Sequence, residues 1–298
     1  MRARHTLPAL AAVAVLLLTG CVDNSATKGG STDGASSSAV TKDAAAAALV
    51  PAATAKTGKL VIGTSPNYAP NEYKNNAGEP IGWAIEVGTA VAAKLGLTAE
   101  YKVARFENII PGIVGGTIDV GESSFTDNVE REKQVDFVNY YVAGIQWASA
   151  TGKTVDPDNA CGLKVAVQST TYQETVEIPA KSDACVKAGK KPIQKIALDT
   201  QDAAANAVAL GQADAFSADS PVTLYGIAQL KGKLQPAGKT FDAAPYGLAV
   251  AKGTGMAEAV QAALQSMVDD GSYKKILDAW GVADGGLTTI TINAGAKG

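Results

Sequence analysis

The folded part of this chain is predicted to be α/β, with mostly parallel sheets, on three observations. Strand-like and helix-like segments alternate over about 240 residues, the order that βαβ units produce. Helical runs stop on glycine, the residue that most readily closes a helix C-terminus. Hydroxyls and amides dominate the positions just past successive strands, where such sheets bind ligands. These positions are Ser65 to Tyr68, Ser123 to Thr126, Gln168 to Thr171 and Ser217 to Asp219.

Taken in order, LVIGTS (60–65) is a short strand run. IGWAIEVGTAVAAKLG (81–96) places apolar residues at helical spacing and ends on glycine. LTAEYKVAR (97–105) alternates as a strand, and FENIIPGIVGGTIDVGES reads as a short helix stopped by Gly115 and Gly116, then a strand. In SSFTDNVEREKQVDF (123–137), Asp127 and Glu130 have capping-box spacing at a helix start. YYVAGIQWASA precedes the strand LKVAVQS (163–169), and a long helical pattern begins near Thr171. ADAFSADS (213–220) is a strand leading into a helix, and YGLAVAKG (246–253) is a late strand before two closing helices. Small polar groups at the strand ends suit a pocket for a small polar ligand better than a hydrolytic site.

Composition excludes several classes. Net charge is −3, no basic cluster occurs and aromatics are few, so nothing favours nucleic-acid binding. The single histidine is His5, in the leader, which removes Ser-His-Asp and Cys-His arrangements and any His-ligated metal site from the rest of the chain. Neither GxGxxG nor GxxxxGK[ST] is present, and no cofactor or metal is expected.

Residues 1–21 read as an export signal. Arg2, Arg4 and His5 form a short basic region, LPALAAVAVLLL is an apolar run too short to span a bilayer, and LTGC closes it. The order Leu18-Thr19-Gly20-Cys21 resembles the bacterial lipobox, which implies a diacylglyceryl group on Cys21; the alternative is an ordinary secretory signal with an incidental cysteine. Two acyl chains suffice for stable anchoring. Residues 22–57 are rich in Ala, Ser, Gly and Thr, lack aromatics, and read as a flexible tether. Cys161 and Cys185 remain as a pair in an oxidising compartment, expected to form a structural disulfide.

Together, GTSPNYAP, NAGEPIGWAIEV, FENIIPGIVGGTIDVG, SSFTDNVEREKQVDF, KVAVQSTTYQE, ADAFSADS, YGLAVAKG and DDGSYKKILDAWG, in this order, resemble the polar amino-acid solute-binding proteins of ABC importers, from about Lys59 to Val282. The resemblance implies two α/β lobes joined by two hinge strands and closing over a ligand. Lobe one would be 58–145 plus 247–292, and lobe two 146–246, with both Cys161 and Cys185 in lobe two.

It also implies roles for residues. Arg131 stands where the family grips the ligand α-carboxylate, and a planar guanidinium offers the two parallel donors that a carboxylate matches. A solvated helix face is the alternative for the Glu-Arg-Glu-Lys run. Ser124 and Thr126 match contacts to the same carboxylate, and Thr171 matches a hydroxyl reaching it from lobe two. Asp219 matches the acid that receives the ligand ammonium, although an aspartate before Ser-Pro-Val also suits a helix N-cap. Tyr68 and Phe106 match aromatics that flank the ligand side chain, with core packing the other reading of Phe106. Gln168 sits where the family tunes specificity, and Trp83 is read as packing. The chain departs from the family at Ser65, where relatives for cationic or polar side chains carry aspartate, and at Asn71, Asn128 and Thr170. Loss of the acid at Ser65 favours a neutral polar or acidic amino acid.

The expected protein is a monomeric receptor, lipid-anchored to the outer face of the cytoplasmic membrane, that delivers an amino acid to an ABC permease and is not an enzyme. Alternatives are a cyclohexadienyl dehydratase-like enzyme using Glu86 or Glu122, or a ligand-sensing partner of a surface signalling protein.

Overall fold

The computed structural model describes residues 40–295. The expected export signal, Cys21 and the expected tether as far as residue 39 lie outside the described residues.

In chain order the elements are α1 (Ala44–Ala48), α2 (Ala52–Thr57), β1 (Lys59–Thr64), β2 (Asn67–Tyr68), β3 (Glu72–Lys74), β4 (Pro80–Ile81), α3 (Trp83–Lys94), β5 (Thr98–Val103), α4 (Phe106–Val114), β6 (Val120–Gly121), α5 (Val129–Glu132) and β7 (Val135–Ala150). They continue with β8 (Lys164–Gln168), α6 (Ile178–Lys187), β9 (Gln194–Leu198), α7 (Gln201–Ala209), β10 (Ala215–Asp219), α8 (Ser220–Gln229), β11 (Leu234–Ala251), α9 (Met256–Asp269), α10 (Ser272–Trp280) and β12 (Gly286–Ile292).

The first two helices correct the tether expected as far as residue 57. Asp43 caps α1, its carboxylate accepting from the Ala45 and Ala46 N–H groups, and also accepts from the Ser266 hydroxyl on α9 at 2.7 Å. Its own N–H donates to Lys94 O, and Ala46 and Thr54 are buried. The alanines that made the stretch look featureless are what let α1 lie close against α3 and α9. Residues from Asp43 onward are thus part of the packed body.

Among the described residues, nine strands form one sheet in the order β5-β1-β6-β11-β7-β10-β8-β9, with β12 added beside β7. The pairs β5–β1, β1–β6, β10–β8 and β8–β9 are parallel, so each end of the sheet is parallel. The antiparallel strands β7 and β11 run through both halves and hold them together. Val135–Ala143 pairs with the Ala244–Ala251 part of β11 in the first half, and Ile145–Ala150 with the Leu234–Phe241 part in the second, with register shifts between Ala237 and Ala244. Gly144 marks the change of half: a Cβ there would stand 2.4 Å from Thr240 Cγ2.

Each half is covered on both faces. In the first, Trp83, Val87, Val91, Val260, Leu264 and Met267 pack on one side, and Ile109, Ile113, Phe125 and Phe137 on the other. In the second, Ala204, Val208, Phe216 and Val222 form one layer, and Trp147, Val165, Val167 and Ile178 the other.

The sequence reading found the last six residues of β11, Tyr246–Ala251, and missed the first twelve. The missed part carries Pro236 and Gly238, which give no strand signal, yet it pairs on β7 alone, and an edge strand tolerates proline. The short strands β2, β3 and β4, which form a separate small sheet, and the terminal β12 are too brief or too irregular to show periodicity.

Cys161 and Cys185 are bonded, tying α6 to the loop before β8. The bond spans 24 residues, so replacing both cysteines by serine is expected to cost about 3 kcal/mol on a chain-entropy basis, read as a lower midpoint in guanidinium unfolding.

Candidate functional site

The polar strand ends converge on one cleft between the two halves of the sheet. Tyr68, Phe106, Ser124, Thr126, Arg131, Gln168, Thr171 and Asp219 all line a single cavity, together with Ser65, Asn67, Glu72, Ser123, Tyr172 and Gln173.

Arg131 turns inward. Its Nη1 donates to Thr126 O at 2.8 Å, and its Nη2 reaches across the cleft to Thr170 O at 3.0 Å. The guanidinium carbon lies 5.4 Å from the Phe106 ring centroid and 5.5 Å from that of Phe125, and these two rings stack at 4.5 Å. Burial lowers the guanidinium to about 10, still charged at neutral pH. The solvated-face reading holds instead for Glu130 and Lys133, which pair with each other at the surface. The cap of this turn is a correction: Asn128, not Asp127, is the N-cap, its side chain accepting from Arg131 N–H at 2.9 Å. Asp127 is buried and accepts from Asn139 instead.

Two residues at the cleft hold backbone conformations that side chains rarely adopt, Ser124 at φ 49° and Thr170 at φ 64°. For a β-branched residue this is a strained position, of the kind held at binding sites. Thr170 thereby presents its carbonyl to Arg131.

Asp219, at the end of β10, occupies the N-cap position of α8 but makes no side-chain cap. Its carboxylate accepts from Tyr68 OH at 2.9 Å, Tyr246 OH at 2.7 Å and Gln173 Nε2 at 2.8 Å. Burial raises its pKa, and the three donors and the Arg131 charge act against that rise. Tyr68 stands on β2 in the first half, so its bond to Asp219 also crosses the cleft. Gln168 makes a third crossing, donating to Asn67 Oδ1 at 3.3 Å, and Thr171 Oγ1 donates to Gln168 O.

Glu72 was not singled out from the sequence. It is wholly buried in the pocket wall on β3 and accepts from Ser124 Oγ at 2.8 Å and Ser123 Oγ at 3.4 Å. Burial holds it well above the usual carboxylate range, and the nearby Glu122 charge adds to this. Glu122 lies behind it, bonded to Tyr140 OH at 2.9 Å and pushed up by burial to about 8. Trp83, fully buried as expected of a packing residue, donates from its indole to Asn71 Oδ1 at 2.8 Å, and Asn71 Nδ2 donates to Ser124 Oγ at 2.9 Å. The sequence signal for Glu72 was slight: an acid four residues past Tyr68, in a strand of only three residues.

The cleft therefore sets a fixed cation on one half of the sheet against a carboxylate on the other, with hydroxyls and two aromatic rings between. Such an arrangement holds a small ligand that carries both charges, and the fold around it is that of a two-lobed periplasmic binding protein. Residues 60–283 match the family model "Bacterial extracellular solute-binding proteins, family 3", and the chain belongs to that family. It is 40% identical to the arginine-binding protein ArgT of Corynebacterium glutamicum over 83% of this chain and 82% of that one. Among solved structures it resembles an ancestral arginine-binding protein bound to arginine, with a TM-score of 0.69, 32% identity, and coverage of 75% of this chain and 98% of that one. It also resembles the ancestral amino acid-binding protein AncCDT-1, a precursor of cyclohexadienyl dehydratase, with a TM-score of 0.65, 29% identity, and coverage of 76% and 97%.

Proposed function

We propose that this protein is an extracytoplasmic receptor that closes its two lobes on a free α-amino acid and delivers it to an ABC permease. The observation that carries the reading is the placement of Arg131 and Asp219 on opposite walls of one buried cleft. Arg131, with Ser124 and Thr126, takes the α-carboxylate as a bidentate, charge-assisted pair. Asp219 takes the ammonium, Thr171 adds a hydroxyl from the second lobe, and Tyr68 and Phe106 flank the side chain, with Gln168 beside it. Lobe one comprises 58–145 plus 247–292 and lobe two 146–246. A ligand touching both favours the closed form by its differential contacts, which is the energetic requirement for closure. The leader and Cys21 would hold a monomer at the outer face of the cytoplasmic membrane through a lipid.

The ligand side chain that fits best is cationic. The expectation of a neutral polar or acidic ligand rested on Ser65, which lacks an acid, but Glu72 brings a carboxylate to the same wall from β3. With Arg131 and Asp219 matched by the zwitterion, Glu72 is left as the acid of the lining, among the described residues, without a cationic counterpart, and a ligand cation would draw it into its ionised form. The arginine-binding relatives support the same choice. Glu86 donates nothing to the cleft, since it pairs with the Trp280 indole, and Glu122 is tied to Tyr140; neither is in the lining, which weighs against the dehydratase reading.

The test is a thermal-shift panel of the proteinogenic amino acids on the chain from Val22 onward. Arginine at a thousandfold over its dissociation constant should stabilise by about 4 kcal/mol. Silence from every amino acid, in a folded protein freed of bound ligand by refolding, would overturn the reading, and turnover of prephenate would replace it with the enzymatic one. Glu72→Gln separates ligand class from fold. It is expected to weaken arginine about tenfold or more while leaving glutamine nearly unaffected. Its effect on stability has the opposite sign. Because the Glu72 carboxyl is raised in the folded state, its contribution is full below the unfolded value of about 4.3 and is lost as pH rises. The ligand-free variant should therefore melt higher than the parent at neutral pH, by a margin that grows from pH 5 upward.

A further inference from the structure

Helix α5 is a single turn of four residues, too short to hold an arginine in place by its own hydrogen bonds. Behind it, on the side away from the cleft, runs the segment that follows β12. Asn293 accepts from Phe137 N–H at 2.8 Å and donates to Asp136 at 2.9 Å. Ala294 N–H donates to Asn139 Oδ1 at 3.0 Å, and Gly295 N–H to Glu132 Oε1 at 3.2 Å. Asn139 is fully buried and passes the contact on, its Nδ2 donating to Asp127 Oδ2 at 2.9 Å. The segment thus reaches both ends of the Arg131 turn, Asp127 through Asn139 and Glu132 directly.

The fit is close. A Cβ at Gly295 would stand 2.8 Å from Asp127 Oδ1 and 2.8 Å from Glu132 Oε1, so both carboxyl groups converge on a position that only glycine leaves open. Asp127 Oδ1 is buried without a hydrogen-bond partner among the described residues. Burial, with the Glu132 carboxyl beside it, raises Asp127 to about 7.

We propose that Asn293–Gly295 is a positioning strap for the ligand-carboxylate site: by engaging Asn139 and Glu132 it fixes the ends of the Arg131 turn and so the aim of the guanidinium. None of the three residues lines the cleft. The proposal rests on the reading of Arg131 as the carboxylate anchor, and it adds residues to that site which nothing in the cleft itself reveals.

The test uses the chain from Val22 onward with Gly295→Ala, with Glu132→Gln and Glu132→Ala, and with a stop after Ile292. Gly295→Ala should weaken arginine on the order of tenfold and should have no further effect on a background already weakened by Arg131→Lys. Glu132→Gln keeps the acceptor for Gly295 and can donate to Asp127, so its affinity should stay within about twofold of the parent, whereas Glu132→Ala should behave like Gly295→Ala. A second readout is independent of the ligand. Beyond residue 5 the chain has only two arginines, Arg105 and Arg131, so the Arg131 Nε–Hε signal is resolvable by NMR. Gly295→Ala and the truncation should shift and broaden it and spare that of Arg105. An equal loss of affinity in the Arg131→Lys background, or a lowered melting point with the Arg131 signal unmoved, would overturn the strap. Should the parent bind no amino acid, the receptor reading falls, and the NMR arm still decides the strap.

Discussion

Arginine should bind Arg131→Ala at least two orders of magnitude more weakly than it binds the parent, about 3–5 kcal/mol in calorimetric titration. The size follows from what is removed. The variant loses the one cation of the cleft lining among the described residues, and a ligand carboxylate enters a wall whose other groups are hydroxyls, amides, rings and carboxyls. It also loses the link from Nη2 to Thr170 O, which ties the lobes together at the strained residue. Circular dichroism of the variant should match the parent, because the guanidinium contributes little to either hydrophobic core. Unchanged affinity for the best ligand of the panel would mean that the carboxylate lies elsewhere and that the assigned pocket is wrong.

The second large effect is on stability. Trp83→Ala should lower the unfolding free energy by about 3–5 kcal/mol, the usual cost of emptying a buried aromatic site, measured in urea. Trp83 is fully buried, with its ring 4.6 Å from that of Tyr141 and 6.1 Å from that of Tyr140. Unlike most core residues it also reaches the cleft. Its indole holds Asn71, Asn71 holds the Ser124 hydroxyl, and Ser124 donates to Glu72. Trp83→Phe therefore separates the two roles. It keeps most of the volume but leaves Asn71 Oδ1 buried and without its donor, a loss of about 1–3 kcal/mol, and it should weaken arginine measurably. A phenylalanine variant with parental affinity would show that Trp83 serves packing alone.

How much was legible in the sequence varies with the physics of each element. Residues past parallel strands were readable because strand, turn and ligand position are linked by the fold itself, and Tyr68, Ser124, Gln168 and Asp219 fall on one cavity for that reason. Arg131 was readable as a cation near a strand start, but its cap was placed one residue early, since Asp127 and Asn128 are both good caps and only burial of Asp127 beneath Asn139 decides between them. Glu72 was overlooked because a three-residue strand has no period to reveal which way its side chains point. The helices before residue 58 were missed for the converse reason: an alanine-rich stretch has no apolar stripe, and α1 owes its place to an aspartate cap and to neighbours far away in sequence. The first part of β11 was hidden by its proline, which only the edge position of the strand makes acceptable.

The path of β7 and β11 through both halves also sets the order in which this protein becomes complete. The first half of the sheet opens with β1, β5 and β6 but needs the end of β11 to cover β6, and that segment is made only after the whole second half. At the usual pace of synthesis, the early strands wait on the order of ten seconds or more for their partners. Meanwhile β6 presents an unpaired edge and the apolar faces of α3 and α4 lack their cover, the kind of surface that chaperones hold and that aggregates when they do not. The second half is continuous in sequence and can close by itself in that interval. Binding competence is thus the last property the nascent chain acquires, and a chain from which only the Leu234–Phe241 part of β11 has emerged displays a folded second half beside an unfinished first.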